Sequence, residues 1–289
     1  MSKNLIIPKS FSELTKLIDI VDGFIIGIKD LSVNLPTFFS INEVEKIVNL
    51  CNDKKREIFI SINKNMHNSD IDLLKNTLIN LSKLNIGGIM FYDISVLNIN
   101  KELNLNLNLI WNQEHLVTNY NTINFYRLLG VDGAYLSSEL SLEEIKKIRN
   151  NTNCSLFINV FGYIPMFTSK RPLVNNYLKT FDLKDNSKIN YLQKENNLYP
   201  IVSEGITTIY SSKICSYILE MPYFKDNFEY LIFNSFNIED SDLEKVIEIY
   251  NNLKNNCKEN FNKLNLLLNY NCDTGFLYKE TVYKVKKNG

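Results

Sequence analysis

The chain of 289 residues contains only two histidines, and one of them, His115, stands in the polar run Asn112-Gln113-Glu114-His115 directly after the apolar segment NLIWN. An imidazole there can exchange protons near neutral pH, with Asn112 and Gln113 as hydrogen-bonding neighbours for a substrate. It can equally cap the next helix or satisfy a backbone carbonyl, and spacing alone leaves both readings open. Glu139 follows GAYLS and precedes SLEEI. It can accept a proton, hold an ammonium group, or stabilise a helix N-terminus through the macrodipole. His115 and Glu139 are the candidate catalytic pair.

Arginine occurs only at Arg56, Arg127, Arg149 and Arg171. Arg171, in SKRPL, offers a planar fork for a carboxylate or phosphate. Lys64, just past EIFISI, is a candidate point charge for an anion or else a solvated side chain. Asp93, after GGIMFY, can orient a ligand or cap a helix. With Asn112 and Gln113 these make the candidate substrate-binding set. No HExxH, HxH, GxSxG or Cys–His pair occurs, so familiar metal or triad hydrolysis gets no support and no metal ligand set is assigned. The five cysteines (Cys51, Cys154, Cys215, Cys257 and Cys272) have no CxxC spacing, which suits reduced thiols.

These residues need elements to position them. Eight short apolar runs recur: NLIIP, GFIIGI, EIFISI, GGIMFYD, NLIWN, GAYLS, CSLFINVFG and YLIFNSF. Most are continuous rather than alternating, as in strands buried on both faces of a parallel sheet. Helical stripes separate them, for example Ile71, Leu74, Leu78, Leu81 and Leu84, or Leu142, Ile145 and Ile148. Four capping boxes are predicted, at Ser10/Glu13, Ser40/Glu43, Ser141/Glu144 and Ser241/Glu244. The pattern predicts an α/β (β/α)8 TIM-like barrel, with a doubly wound open sheet as the alternative. The candidate residues then gather after strand C-termini, on the face where such barrels carry reactive groups.

The rhythm breaks over 163–229, read as an insertion between strands seven and eight with an extended pair around Glu204 and Gly205. The barrel with this insertion is assigned to 1–250. The segment 251–289, ending in CDTGFLYKETVYKVKK, is assigned to packing on the barrel. The aromatics Phe157, Phe161, Tyr163 and Phe167 are assigned to core and pocket walls. With 32 basic against 32 acidic side chains, binding of nucleic acid by charge alone is excluded. No membrane span or signal peptide is visible, which predicts a cytoplasmic protein.

At FINVFGYIPMFTSKRPLVNNYL the sequence resembles the collagenase-like peptidase U thirty-two family, in its short-chain branch. NQEHLVTNY, YLSSELSLEEI and the terminal DTGFLYKETVYKVKK extend the likeness along nearly the whole chain. The resemblance implies a (β/α)8 barrel and marks Gly162, Ser169 and Gly275 as structural motif positions. Relatives hydroxylate the wobble uridine of tRNA to 5-hydroxyuridine with prephenate-derived chemistry, and many hold an iron–sulfur cluster. Here the family's glutamate falls at Phe157, its histidine at Phe161 and its first cysteine at Pro165. The SEL match keeps the glutamate as Glu139 but has Ser138 where arginine is usual.

The resemblance therefore implies a subunit with no cofactor of its own, in a hetero-oligomer with a longer paralogue that carries the cluster. SKRPL and the insertion would face that partner or tRNA, which the complex binds. The alternatives are a collagenase-like peptidase and a non-catalytic binding or scaffold barrel.

Overall fold

A computed structural model describes residues 2–185, 187–253, 256–269 and 271–279. The eight apolar runs form the strands of one closed parallel barrel: Lys3–Ile7, Gly23–Ile28, Glu57–Ile62, Gly88–Phe91, Leu109–Trp111, Gly133–Tyr135, Ser155–Gly162 and Tyr230–Asn234. Closure comes from the eighth strand, which pairs with the first (Leu5↔Ile232) and with the seventh (Tyr230↔Phe157).

Both strand faces are buried, which explains the unbroken apolar runs. Leu5, Ile25, Phe59, Met90, Phe157 and Ile232 fill the barrel interior, and alternate side chains pack outward under the helices. On the helix Ile71–Leu81, Leu74, Leu78 and Leu81 are buried, and on the helix Leu142–Asn150, Leu142, Ile145 and Ile148. Burying one such side chain is worth about 1.5–3 kcal/mol.

Full capping boxes open α2 (Ile41–Asp53) at Ser40/Glu43 and the helix Leu142–Asn150 at Ser141/Glu144. The other two expected boxes differ. At α1 (Phe11–Leu17) the Ser10 hydroxyl accepts from Glu13 N, but the Glu13 carboxylate, 1% exposed, turns inward. There it accepts from Lys9 N at 2.7 Å and Ser235 Oγ at 2.6 Å, so a tertiary partner on the eighth-strand loop replaces the local one. The helix Asp240–Asn251 starts one residue before Ser241, with Glu239 at its N-cap position. Asp240 in its first turn is held by Lys9 (2.8 Å) and Lys16 (2.7 Å), which leaves Ser241 inside the helix.

Between the seventh and eighth barrel strands the chain builds a four-stranded antiparallel sheet, in the order Asn190–Lys194, Asn197–Glu204, Ile206–Tyr210 and Pro165–Ser169. Its central hairpin turns at Gly205, and Leu173–Thr180 forms a helix beside it. Phe167, expected in a wall or core, is 50% exposed here, because its strand lies in the insertion rather than in the barrel. Ile214–Ser216 pairs antiparallel with the seventh strand and takes Cys272–Asp273 on its other side. The run ETVYKVKKNG, 280–289, lies outside the described residues. Among the described residues no helix is long and apolar enough to cross a membrane.

Candidate functional site

A cleft of about 120 Å³ opens between the loops that follow the barrel strands and the first strand of the insertion. Its wall includes Asn112, Glu114, His115 and Glu139 from the fifth- and sixth-strand loops, with Asn159 and Asn234 from strands seven and eight.

His115 lies in a 3₁₀ turn, Glu114–Leu116, immediately beyond the fifth strand. Two contacts hold this loop to the fourth strand: Asn112 N donates to Phe91 O at 2.8 Å, and Gln113 Nε2 to Tyr92 O at 2.6 Å. Glu114 itself has φ of 40°, a left-handed conformation that a non-glycine residue adopts at a cost. His115 Nδ1 meets Glu139 Oε1 at 3.2 Å, the two side chains being 46% and 51% exposed. The contact is one of ion-pair distance, and a neutral imidazole beside the carboxylate keeps one ring nitrogen able to accept a proton. Glu139 sits on a loop pinned by its own N–H donating to Ser137 Oγ (3.3 Å) and by Ser137 N donating to Val117 O (3.1 Å).

Glu114 is the more buried acid. Burial pushes its carboxyl above the usual range, opposed by a hydrogen bond from Asn34 and by the nearby His115. The bond runs from Asn34 Nδ2 to Glu114 Oε1 at 2.7 Å. Asn34 cannot flip its amide without losing two more, because its Oδ1 accepts from Thr168 Oγ1 (2.7 Å) and Thr208 Oγ1 (2.9 Å) of the insertion sheet. Burial, and secondarily the Glu114 charge, raise the phenols of Tyr135 and Tyr210 well above their ordinary value. Both phenols therefore stay protonated at neutral pH.

Of the residues singled out by sequence, the structure brings Asn112, His115 and Glu139 together in the cleft wall. Gln113 adjoins it with its amide spent on Tyr92 O. Lys64 and Asp93 are engaged elsewhere at that end of the barrel. Lys64 Nζ donates to Asp30 O (3.0 Å) and pairs with Asp70 (3.2 Å). Asp93 accepts from the N–H groups of Met66 and Ser95, and these bonds outweigh its burial and keep its carboxyl low. Arg171 is exposed in the turn after Pro165–Ser169, where its N–H donates to Ser169 Oγ at 3.1 Å.

The three motif positions are backbone devices. Gly162 has φ of 122°, and a Cβ there would meet Asn234 O at 2.4 Å. Gly275 has φ of 56° and lies against Cys215, while Ser169 forms the turn bond to Arg171. Asn34, Asn159 and Asn234 were not found by sequence reasoning. Asn159 and Asn234 did leave a signal, a lone amide inside each of the apolar runs FINVF and LIFN.

The region matching the family's cluster motif does not fit an iron–sulfur group. Phe157 and Phe161 are buried in apolar clusters, and Pro165 has no ligating atom. Burial pushes the Cys51 and Cys272 thiols up to about 12 and Cys215 higher still, so none is a ready thiolate. Among the described residues no group of three or more His, Cys, Asp or Glu stands at metal-binding distance.

The sequence matches the profile of Peptidase family U32 over residues 12–286. It is 27% identical to tRNA hydroxylation protein P2 of Bacillus subtilis (strain 168), over 96% of this chain and 98% of that protein. It is 22% identical to tRNA hydroxylation protein P1 of the same organism, over 50% of this chain and 34% of that protein. Among solved structures, the U32 peptidase Mk0906 shares the fold at a TM-score of 0.53 and 16% identity, covering 81% of this chain and 92% of that one.

Proposed function

Because this chain belongs to peptidase family U32, we propose that it works as a subunit in the hydroxylation of tRNA, at the wobble uridine. The observation that carries this reading is the end-to-end likeness to tRNA hydroxylation protein P2, which leaves almost none of either chain unmatched. The cleft is compatible with it: the His115–Glu139 pair can take up or return a proton, and the shielded Glu114 can donate one.

An iron–sulfur cluster, if the reaction uses one, belongs to a longer paralogue in the same complex, since Phe157, Phe161 and Pro165 offer no ligand. A balanced charge of 32 against 32 supports the same division, with the partner supplying most of the basic surface for tRNA. The peptidase reading in the family's name finds no support in Cys51, Cys215 or Cys272, whose burial suppresses the nucleophilic form.

The test is mass spectrometry of tRNA nucleosides from cells lacking the gene, with and without the wild-type copy. Loss and restoration of 5-hydroxyuridine derivatives supports the reading. Unchanged nucleosides, with no paralogue compensating, overturn it. Co-purification of a longer family member with the tagged chain tests the pairing separately.

A further inference from the structure

Asn112 and Asn159 are 6% and 5% exposed, both line the cleft, and neither carboxamide makes a hydrogen bond with any described residue. Their amide atoms are not among the sealed, unpartnered polar atoms of the fold, so they open onto the cleft, where a ligand can reach them. No bond within the fold occupies either of them, so both donor and acceptor groups are available to a ligand. Asn159 lies on strand seven and Asn112 directly follows strand five, and alternate strands of an eight-stranded barrel contribute side chains to a common layer. The neighbouring Asn234 differs: its Oδ1 accepts from Phe236 N at 3.0 Å and its Nδ2 donates to Tyr163 O at 3.4 Å.

The surroundings define what the two free amides can read. Among the described residues no lysine or arginine lines the cleft, whereas Glu114 and Glu139 do. An anionic ligand would therefore meet carboxyl groups, with His115 as its one possible counter-charge among the described residues. Tyr163 and Phe276 bring aromatic rings to the wall, of the kind on which a planar ring stacks. The cavity, about 120 Å³, is smaller than the roughly 300–1,000 Å³ of sites that enclose drug-sized ligands. It admits one small ring and leaves an attached sugar outside.

We infer that Asn112 and Asn159 form a recognition site for a neutral planar ring with an imide edge, the edge that uracil presents as carbonyl, N–H and carbonyl. Each carboxamide carries both donor and acceptor, so each can return a complementary pair of bonds to such an edge. A nucleotide turned out of its stack is read this way by enzymes that act on bases. This inference rests on the tRNA uridine reading for its choice of ring, but not for the site itself.

The experiment titrates the full-length wild-type chain with uridine, 3-methyluridine and phenylpyruvate, and follows the side-chain amide resonances of Asn112 and Asn159 by NMR. Uridine should shift both resonances saturably. 3-Methyluridine, with its imide N–H blocked, should bind at least tenfold more weakly, and phenylpyruvate should leave them unmoved. Equal binding of the methylated nucleoside, a response to phenylpyruvate alone, or no shift with uridine overturns the inference. In parallel, Asn112→Leu and Asn159→Leu are placed in the complementation assay, with thermal melts to confirm folding. Wild type restoring 5-hydroxyuridine while both folded variants restore it equally defeats the site and leaves the function standing. Wild type failing to restore it defeats the function, and the titration then decides the site alone.

Discussion

His115 Nδ1 and Glu139 Oε1 stand 3.2 Å apart at the barrel mouth, on loops that follow the fifth and sixth strands. The two residues are 24 positions apart in sequence, and barrel closure is what places them on neighbouring loops. Both side chains are about half exposed, so water screens the pair and it adds only about 0–1 kcal/mol to stability. Its effect is on position, because it keeps an imidazole and a carboxylate side by side at the mouth of the barrel.

His115→Ala and Glu139→Gln should therefore separate activity from folding. Each variant should melt within a few degrees of wild type. Each should also lower 5-hydroxyuridine in complemented cells at least tenfold, since general acid–base groups contribute about 10²–10⁴ in rate. Normal nucleoside levels in both folded variants would remove the pair from the chemistry.

Glu114→Gln should raise stability at neutral pH. The folded state holds the Glu114 carboxyl above its usual range, mainly through burial, so it binds that proton more tightly than the unfolded chain does. The associated stability is complete below the unfolded carboxyl value, roughly 4.3, and is lost as pH rises through the higher folded value. Glutamine mimics the protonated form and can still accept from Asn34. Urea titrations from pH 4 to 8 should show the variant's advantage growing with pH and vanishing at the acid end. A constant difference would contradict the assignment.

Restoring the family's glutamate should damage this chain. Phe157 stacks on Tyr230 with centroids 4.2 Å apart and meets Phe59 edge-on at 5.2 Å, inside the barrel. Phe157→Ala should cost about 3–5 kcal/mol. Phe157→Glu should cost no less, since it adds an unpaired carboxyl to the same space. Denaturant unfolding of the two variants checks both values, and a stable Phe157→Glu chain would show that the interior can hydrate.

Gly162→Ala should destabilise although it adds one methyl group. With φ at 122° and Asn234 O only 2.4 Å from the new Cβ, either the seventh strand or the Asn234 loop must move. The backbone strain alone is worth about 1–3 kcal/mol. Because Asn234 lines the cleft, this variant should also weaken activity. Calorimetry together with the nucleoside assay measures the two effects.

Much of the fold was legible because burial on both faces leaves a direct record. A strand such as GFIIGI, with every residue buried, has no alternation to disguise it. Two capping boxes were readable because Ser40/Glu43 and Ser141/Glu144 satisfy each other locally. The box at Ser10 misled because Glu13 found Ser235, far along the chain, as a better partner. In the site, Asn112, His115 and Glu139 could be picked out as polar groups at strand ends. Asn34 could not, since its role depends on Glu114, Thr168 and Thr208, three residues from separate parts of the chain.

By itself the sequence determined the eight barrel strands, the helix starts at Ser10, Ser40 and Ser141, and the absence of cysteine from the run around Phe157, Phe161 and Pro165, because hydrophobic period, local capping and ligand chemistry are properties of neighbouring residues. Only the tertiary structure decided which polar groups share a cleft. It set His115 against Glu139, turned Lys64 and Asp93 to structural bonds, and left Asn112 and Asn159 unpaired inside the mouth of the barrel. Those outcomes follow from closure and stagger of the sheet, which bring distant strand ends to one place and which no local pattern encodes.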